Sequence, residues 1–426
     1  MDKRYRFTED SRIITNNDRV LIVNRDNGSW LKISKQCYDV LTLGIQHNLT
    51  INELLESLAD DEDRDYFNKL FEKLINMELM TDEISIEEGK VHGIKKIDQI
   101  YFALTNRCNL RCIHCCINAG QEADSETLST GQVLSAIDKI LTVNPANIVF
   151  SGGEPMLRED LFEILEYTAQ RYNGKITLAT NGTLINEENV HKLTELCYQI
   201  DISLDGVDEE SCSIIRGSGV FDKVMKSVRL LQNNEFKNIS LSMVIGEKTQ
   251  HLEEQFNSLN ASLGTIPMVR VFSPIGRGEI NDLAIMDKKS KTTFIPKNFK
   301  QKLCEKPIRG CSCGAGCHEL YINSDGGIYP CPNLTDIDYK ICNISEISDL
   351  TCLKNIENGK FPAFNNLSDI EPDSFYKCKE CKVNVFCWTC LNELKRLKNC
   401  EDDFEERCSV IKPVLNELVW GKAMGR

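Results

Sequence analysis

Between residues 99 and 272, short apolar segments alternate with longer amphipathic ones. The amphipathic segments, such as STGQVLSAIDKILTV and REDLFEILEYTAQRY, carry apolar residues at helical spacing. The short segments are apolar almost throughout, which is typical of strands in a parallel sheet whose faces are covered by helices. The predicted strands are QIYFALT (99–105), NIVF (147–150), KITLAT (175–180), QIDISLD (199–205), NISLSMVI (238–245) and MVRVF (268–272). Six β/α units predict an α/β domain, and they are too few for a conventional closed barrel of eight strands.

A different pattern precedes this region. In RVLIVNRDNGSWLKIS, apolar and polar residues alternate on both sides of RDNG, which predicts a hairpin with positive φ at Asn27 and Gly28. The segments SKQCYDVLTLGI, TINELLESLA and DRDYFNKLFEKLINMELM then show helical spacing, with Thr50 and Asp63 as predicted helix caps. A hairpin with about three helices is the content of a small winged-helix module, which we predict for residues 1–85.

Composition limits the classes of function. With 426 residues and 41% hydrophobic content, the chain is long enough for two or three domains that each bury a core. The N-terminal stretch MDKRYRFTEDSRIITNN lacks the apolar segment of a secretory signal, and no run of about 18 uncharged apolar residues occurs. We therefore expect a cytoplasmic protein without a membrane partner. The net charge of −14 argues against nucleic acid as a partner.

The chain contains 20 cysteines, which in a reducing compartment indicate metal binding rather than disulfides. In the stretch CNLRCIHCC, Cys108, Cys112 and Cys115 are spaced so that one loop can wrap three thiolates around a metal centre. A zinc site usually adds a second C-x-x-C pair, which this domain lacks. A cubic iron-sulfur cluster held by three thiolates keeps one iron free for another ligand. Cys116 is badly placed as a fourth ligand, and we expect it to be a buried small hydrophobe.

Other candidate residues also follow predicted strands. SGGEP follows the second strand, TNG follows the third, and Asp205 ends the fourth. Ligands of such folds bind at the carboxyl ends of the strands, so these residues are expected to meet there. Asn181 and Gly182 of the TNG stretch serve equally well as turn residues without a function.

CNLRCIHC after one strand and SGGEP after the next together resemble a radical S-adenosylmethionine (SAM) enzyme. The resemblance implies a partial (β/α)6 barrel in which Cys108, Cys112 and Cys115 bind a 4Fe-4S cluster. It further implies that the free iron chelates the amino and carboxylate groups of SAM. Reductive cleavage of SAM then yields a 5′-deoxyadenosyl radical.

The resemblance assigns further residues to the methionine part of SAM. Gly152 and Gly153 allow the backbone to approach the amino group, because glycine has no Cβ. Glu154 adds an acceptor for that group. Arg216, in IIRGSG, matches a carboxylate-binding arginine; taken alone it would be a surface charge.

The adenosine part of SAM has its own matches. Ser203 and Asp205 in ISLDG match residues that hold the ribose hydroxyls, although alone they would be a strand end with a turn. His114 matches a ring that packs on adenine. Ile275 and Gly276 in SPIGRG resemble a segment after the sixth strand that also lines adenine.

Thirteen of the 20 cysteines fall between Cys304 and Cys408. The stretches CGAGCHELYINSDGGIYPC and CKECKVNVFCWTC are similar to the SPASM extension of radical SAM enzymes, which carries two auxiliary 4Fe-4S clusters. The resemblance assigns one cluster to Cys378, Cys381, Cys387 and Cys408, and the other to Cys313, Cys331 and Cys390. Possible additional ligands of the second cluster are Cys311, Cys317 and Cys304. The chain departs from the family pattern, because two residues rather than three separate Cys387 and Cys390 and no cysteine lies six residues before Cys313. Zinc remains an alternative for the C-x-x-C pairs.

The N-terminal stretches GSWLKISKQCYDVL and LTINELL resemble the PqqD-like peptide recognition element of radical SAM maturases. Such an element binds the leader of a precursor peptide as an added strand. The resemblance therefore predicts three domains: residues 1–85 for leader recognition, 95–285 for the radical SAM barrel and 304–426 for the SPASM-like domain.

The expected function is that of a cytoplasmic peptide maturase. It would abstract hydrogen from a ribosomally made precursor peptide and install a thioether between a cysteine sulfur and a carbon, as sactipeptide maturases do. A reductant such as flavodoxin or ferredoxin would be a second partner. Carbon-carbon crosslinking is the alternative reaction. An iron-sulfur electron carrier or peptide-binding scaffold without catalysis is the alternative of another class.

Overall fold

The computed structural model describes residues 3–81, 93–120, 127–287, 294–305, 307–354, 356, 360–388 and 390–421. They fall into two compact units, and we describe each by itself. The first unit draws on residues within 1–90, 297–314 and 370–426, and the second on residues within 91–296 and 315–369. Over these described ranges, no helix has the length and apolar character needed to cross a membrane.

The N-terminal part of the first unit has two small sheets and three helices. Its elements are β1 (Arg6–Phe7), β2 (Ser11–Asn16), β3 (Arg19–Asn24), β4 (Trp30–Ser34), α1 (Lys35–Gln46), α2 (Ile51–Ser57), α3 (Asp61–Asn76) and β5 (Met80–Thr81). β2, β3 and β4 form an antiparallel sheet in that order, and β1 pairs with β5. Val20, Ile22, Leu41 and Phe71 are fully buried in the core between sheet and helices. The winged-helix designation itself stays a prediction.

The predicted hairpin is confirmed, but two local predictions were wrong. Gly28 has a positive φ of 73°, whereas Asn27 does not; its side-chain oxygen instead accepts a hydrogen bond from the Ser29 N–H. Helix α3 is capped by Asp60, whose carboxylate accepts the N–H of Asp63. In a run of acidic residues, several positions have cap chemistry, and the backbone conformation selects one of them.

The second unit is built on a nine-stranded sheet. Six of its strands are parallel neighbours: β6 (Gln99–Thr105), β7 (Asn147–Gly152), β8 (Lys175–Thr180), β9 (Gln199–Ser203), β10 (Ile239–Ile245) and β11 (Ile266–Val271). These six confirm the predicted strands. The helices are α4 (Thr130–Leu141), α5 (Leu161–Arg171), α6 (Val190–Leu196), α7 (Glu209–Arg216), α8 (Val220–Asn233), α9 (Glu253–Leu263) and α10 (Arg277–Ile280).

Buried residues of the parallel strands β6 to β10 make the core, whereas β11 at the edge of the sheet has none. Phe102 of β6 and Phe150 of β7 are fully buried, with ring centroids 6.4 Å apart. Val133 and Ile137 on one face of α4 are also fully buried. Because the parallel strands run in one direction, the loops at their carboxyl ends lie along one edge of the sheet.

Three more strands extend this sheet beyond β6. β12 (Glu319–Ile322) pairs in parallel with β6, and β13 (Gly327–Tyr329) and β14 (Cys342–Asn343) follow in antiparallel order. α12 (Pro362–Ser368) also belongs to the second unit. These elements lie within residues 315–369, which had been assigned to the predicted third domain. The three-domain boundaries remain a prediction beside this division into two units.

The rest of the first unit contains α11 (Phe299–Glu305), α13 (Tyr376–Lys379), α14 (Leu391–Lys398) and α15 (Glu401–Trp420). It packs against the N-terminal sheet. Trp30 Nε1 donates to the carbonyl of Ile308 at 2.7 Å, and the Trp30 ring meets Phe386 edge-on with centroids 5.4 Å apart. Arg25 pairs with Glu371 at 3.0 Å. The N-terminal module and the last cysteine-rich stretch thus share one compact unit.

Candidate active site

The three cysteines of the first motif lie in a loop at the carboxyl end of β6. The loop is closed at its base, where the Cys108 N–H donates to the Gly120 carbonyl at 3.0 Å. Cys108 and Cys112 are buried and Cys115 is half-buried. Cys116 is exposed, so the expectation of a buried small hydrophobe was wrong.

The surroundings of these thiols act on their pKa values. Burial raises the pKa of Cys112, and the guanidinium of Arg216 partly offsets that effect. Burial also raises the pKa of Cys108, against a hydrogen bond from the Leu110 N–H to its sulfur at 3.4 Å. The negative charges of Cys112 and Cys115, when these are thiolates, raise the pKa of Cys108 further. A metal centre would therefore stabilise thiolates that the protein alone disfavours, because bound thiols are deprotonated.

The glycine segment that ends β7 lies directly against this loop. Gly153 N–H donates to the Thr105 carbonyl at 2.7 Å, and Glu154 N–H donates to the Arg107 carbonyl at 2.8 Å. A Cβ at Gly152 would collide with the Thr105 carbonyl, and one at Gly153 with the Arg107 carbonyl. Gly152 also has a positive φ of 129°. Both positions therefore require glycine for this close approach.

Glu154 is fully buried and links β7 to the end of β8. Its carboxylate accepts hydrogen bonds from Thr180 Oγ1 and Asn181 N, both at 2.7 Å, and from Met156 N at 3.1 Å. Burial raises its pKa, which these three bonds oppose. The predicted role as acceptor for an ammonium group stays a prediction, since these contacts give Glu154 a role in fixing two strand ends.

Three predicted residues come together beside Cys112. Asp205 Oδ2 lies 2.7 Å from His114 Nε2 and 2.5 Å from Arg216 Nη2. Arg216 Nη1 donates to Cys112 Sγ at 3.6 Å. Burial alone would raise the pKa of Asp205, but the charges of Arg216 and His114 hold it well below its usual range. Asp205 has a positive φ of 56°, a conformation that the Val244 N–H supports by donating to its carboxylate at 2.6 Å.

Two buried polar atoms in this group have no hydrogen-bond partner among the described residues. They are Nδ1 of His114 and Nε of Arg216. Both side chains are only 10% exposed, so each atom carries an unmet donor or acceptor. A polar ligand beside Cys112 would satisfy them. The three thiols, the glycine segment and these atoms together fit an iron-sulfur cluster that binds a SAM-like ligand.

The other two predicted cofactor residues lie at the ends of neighbouring elements. Ser203 is the last residue of β9, opposite Ser242 of β10. Ile275 is half-buried in the segment after β11, where its N–H donates to the Ser273 carbonyl at 2.9 Å. Their predicted contacts with ribose and adenine stay predictions.

Two groups of residues that the sequence analysis did not assign also hold the cysteine loop. Asn181 Nδ2 donates to Asn109 Oδ1 at 2.8 Å and approaches Cys108 Sγ at 4.0 Å. Arg277 and Asn281, after β11, donate to loop carbonyls. In the sequence, these contacts are indicated only by the TNG and SPIGRG stretches, where a polar residue stands beside glycine after a strand. These signals do not identify the partner.

Five cysteines of the first unit lie close enough for their charges to affect one another's pKa values. Burial raises the pKa of Cys387 well above its usual range, and the thiols of Cys311, Cys378 and Cys381 add to the effect. Cys381 and Cys408 likewise raise the pKa of Cys378, which burial has already raised, to about 11. Cys378, Cys381, Cys387 and Cys408 form the first predicted ligand set, so this set lies together in the first unit.

The second predicted set is divided. Cys313 and Cys390 belong to the first unit, whereas Cys331 and the possible ligand Cys317 belong to the second. The side chain of Cys304 lies outside the described residues. Among described side chains, no three of His, Cys, Asp or Glu converge as a single metal ion requires. In a four-iron cluster each thiolate binds a different iron, so its ligands lie farther apart than those of a single metal ion. Measuring iron and sulfide content would test the predicted ligand sets.

A cavity of about 450 Å³ lies away from this site. It is lined by Ile94, Lys95, Lys96, Val143, Asn144 and Lys354. Lys96 precedes β6 and Asn144 precedes β7, which places the cavity at the amino ends of the strands. The candidate site occupies the carboxyl ends, where ligands of this fold class bind.

Residues 102–257 match the family model described as the radical SAM superfamily. The chain therefore contains a radical SAM domain, and its α/β fold with a mostly parallel sheet is the fold of radical SAM enzymes. The match includes the cysteine loop, the glycine segment and Arg216.

Two curated relatives show the range of similar proteins. The chain is 28% identical over 267 residues to mycofactocin maturase MftC of Mycolicibacterium smegmatis, which covers 62% of this chain and 66% of MftC. It is 26% identical over 327 residues to the AdoMet-dependent heme synthase of Methanosarcina barkeri, which covers 68% of this chain and 90% of the synthase. The chain thus spans just under two thirds of the maturase that it matches.

A solved structure extends the likeness to nearly the whole chain. Streptococcus suis SuiB bound to precursor peptide SuiA is similar with a TM-score of 0.55 at 15% identity, covering 92% of this chain and 97% of that one. At this identity the likeness concerns the fold alone.

Proposed function

We propose that this protein is a radical SAM maturase that crosslinks a ribosomally made precursor peptide through a cysteine thioether. The observation that carries the proposal is the contact of Arg216 with both Cys112 and Asp205, beside the glycine segment. This arrangement joins a cysteine loop to a set of buried polar groups. Such groups are needed to hold both a cluster and an amino-acid-bearing nucleoside.

The residues have separate tasks in this proposal. Cys108, Cys112 and Cys115 hold a 4Fe-4S cluster, and Arg216 orients the carboxylate of SAM. His114, Asp205 and Ser203 hold the adenosine part. When bound, the cluster and SAM supply a 5′-deoxyadenosyl radical that removes a hydrogen atom from the peptide. Burial of this group keeps water from competing for the same polar contacts.

Crosslinking is balanced without another reagent. The peptide gives up a hydrogen atom from carbon to the 5′-deoxyadenosyl radical and a proton from a cysteine thiol to solvent, and a carbon-sulfur bond forms. SAM is reduced to methionine and 5′-deoxyadenosine. The electron that starts the cleavage, from a reductant such as flavodoxin or ferredoxin, is returned when the new bond forms. An auxiliary 4Fe-4S cluster on Cys378, Cys381, Cys387 and Cys408 would accept it, and a second one would use Cys313, Cys331 and Cys390.

The N-terminal module supports a peptide substrate. Among the described residues, β2 and β4 each pair with β3 on one side only, so each offers an unpaired row of backbone groups. A leader peptide that adds as a strand would satisfy these groups, and side-chain pockets would select its sequence. The name of the maturase relative and the peptide bound to SuiB agree with this substrate class.

The test is mass spectrometry of a candidate precursor peptide after anaerobic incubation with enzyme, SAM and a reductant. We expect a loss of two hydrogens and one cysteine that no longer alkylates. The matched control is Cys112→Ala, which should produce neither 5′-deoxyadenosine nor the mass change. A peptide without its leader should react much more slowly.

Other outcomes would redirect the assignment. The same mass loss with every thiol still reactive would replace the thioether by a carbon-carbon crosslink. Production of 5′-deoxyadenosine with no change in any peptide would contradict the peptide substrate, and porphyrins would be tried next because of the heme synthase relative. Absence of 5′-deoxyadenosine from iron-loaded protein would favour an electron carrier or scaffold.

A further inference from the structure

The segment after β11 is fastened to the cysteine loop by four hydrogen bonds. Arg277 Nε donates to the Cys112 carbonyl at 3.0 Å, and Arg277 Nη1 donates to the Ala119 carbonyl at 2.5 Å. The Arg277 backbone N–H donates to the Cys115 carbonyl at 2.9 Å. Asn281 Nδ2 donates to the Ile113 carbonyl at 3.1 Å. The middle and the far end of the loop are thus held by one short segment.

Two glycines permit this contact. A Cβ at Gly276 would lie 2.5 Å from the carbonyl oxygens of both Cys115 and Cys116. Gly276 also has a positive φ of 57°, which other residues rarely adopt. A Cβ at Gly278 would lie 3.0 Å from the Phe272 ring. The sequence Gly-Arg-Gly therefore brings the backbone against the loop and directs the arginine along it.

The loop needs such support. Between Arg107 and Gly120, which form an isolated bridge, the described chain has no helix or strand. Backbone carbonyls without secondary-structure partners bond to water or to side chains. A guanidinium donates from several N–H groups in a fixed plane, so it holds two carbonyls at a set separation in a way that an ammonium cannot. Arg277 joins residues before Cys115 to residues after it.

The charge of Arg277 also reaches the thiols. Its Nε lies 3.0 Å from the carbonyl oxygen of Cys112, one of the three expected ligands. The reduction potential of an iron-sulfur cluster depends on the charges and hydrogen bonds around its sulfurs. A positive charge near a ligand favours the reduced cluster, which carries one more negative charge.

We propose that Arg277 is a positioning residue that fixes the spacing of the cluster-binding cysteines and raises the reduction potential of the cluster that they hold. This proposal rests on the first cluster of the proposed function. It assigns the segment after β11 a role at the cysteine backbone, separate from the adenine contact expected for Ile275.

Two variants separate the bonds from the charge. Arg277→Lys keeps the positive charge but loses the planar pair of bonds, and Arg277→Gln loses the charge but keeps one amide donor. The control is Arg229→Gln on the exposed face of α8. Each protein is reconstituted with iron and sulfide, and Cys112→Ala reports the iron that belongs to other sites. The readouts are iron retained under a chelator and the reduction potential followed by electron paramagnetic resonance.

We expect Arg277→Lys to lose the iron bound by the cysteine loop, here called first-loop iron, several-fold faster than the wild type. Arg277→Gln should lose this iron faster too, and its cluster should have a more negative reduction potential. Loss of first-loop iron alone in both variants, with the remaining iron kept, would also support the positioning role. Wild-type iron retention in both variants would overturn it, and an unchanged potential in Arg277→Gln would overturn the effect of charge. If wild-type protein holds no more iron than Cys112→Ala, the proposed function itself has failed.

Discussion

Nη2 of Arg216 lies 2.5 Å from Oδ2 of Asp205, and the two side chains are 10% and 1% exposed. The same arginine contacts Cys112 Sγ. Arg216 was expected to bind the carboxylate of SAM, and Asp205 its ribose hydroxyls. In the structure they bind each other, so the ligand would meet groups that are already oriented and charged.

Asp205→Asn should weaken SAM binding without unfolding the protein. The amide keeps the shape of the carboxylate but loses the charge that orients Arg216 and His114. Loss of one charge-assisted hydrogen bond, worth about 1.5 kcal/mol, predicts about ten-fold weaker binding in equilibrium dialysis. The matched control is Asp208→Asn, an exposed cap of α7 with the same change of charge. Equal affinity of the Asp205 variant and the control would contradict this role.

Gly153→Ala should displace the cysteine loop. The added Cβ would collide with the Arg107 carbonyl, which is backbone and lies next to Cys108. We expect a fall in first-loop iron and in 5′-deoxyadenosine formation, with a destabilisation of about 1 to 3 kcal/mol typical of overpacking.

Gly131→Ala provides the control for this variant. Gly131 lies in the first turn of α4, and a Cβ there has no heavy atom within 4 Å. Alanine at that position should leave iron content unchanged and stabilise the helix by up to about 1 kcal/mol. If both variants keep wild-type iron, the close approach at Gly153 does not matter for the loop.

The sequence predicted the sheet well because each strand is marked by its own residues. Alternation of apolar strands with amphipathic helices is a local pattern, and all six strands were placed within a few residues of their ends. The carboxyl-edge position of CNLRCIHC and SGGEP follows from strand direction alone. Pairing among side chains does not follow in this way. Glu154 bonding to Thr180, or Arg277 to Cys112, depends on how loops pack after the sheet has formed.

The division into two units could not be predicted from local sequence patterns either. Residues 315–369 add strands to the parallel sheet beside β6, whereas residues within 370–421 pack with the N-terminal sheet. Both stretches are rich in cysteine, so composition does not distinguish them. The two stretches differ in their long-range contacts, such as the ion pair of Arg25 with Glu371, and no spacing rule in the sequence identifies such pairs.

Trp30→Ala should destabilise the first unit and loosen its cysteine group. Trp30 contacts Phe386, one residue before Cys387, and its Nε1 bonds to the Ile308 carbonyl. Because the side chain is half-buried, we expect a loss of about 2 kcal/mol, below the cost for a fully buried tryptophan. Trp30→Phe removes the hydrogen bond but keeps a ring, and should cost about 1 kcal/mol.

The measurement is urea unfolding, followed by the iron content of the reconstituted variants. Leu43→Ala, at a side chain that is 56% exposed in α1, is the control and should change neither quantity. Unchanged iron and stability in Trp30→Ala would show that the N-terminal sheet does not support the cysteine-rich stretch.

Glu319→Gln should remove a pH dependence of stability between about pH 4.3 and 7. Glu319 begins β12, opposite Gln99 of β6, and burial raises its pKa to about 7. A carboxyl whose pKa is higher in the folded state than the ordinary value of about 4.3 binds its proton more tightly when folded. The wild-type protein therefore loses stability as the pH rises through this range and levels off above it.

The variant does not titrate there, so its stability relative to the wild type should rise by at most about 3 kcal/mol between pH 4.5 and 8. Urea unfolding from pH 5.5 to 8 measures the upper part of this difference, and Glu188→Gln at an exposed position is the control. A difference that stays constant over this range would mean that Glu319 does not carry a raised pKa.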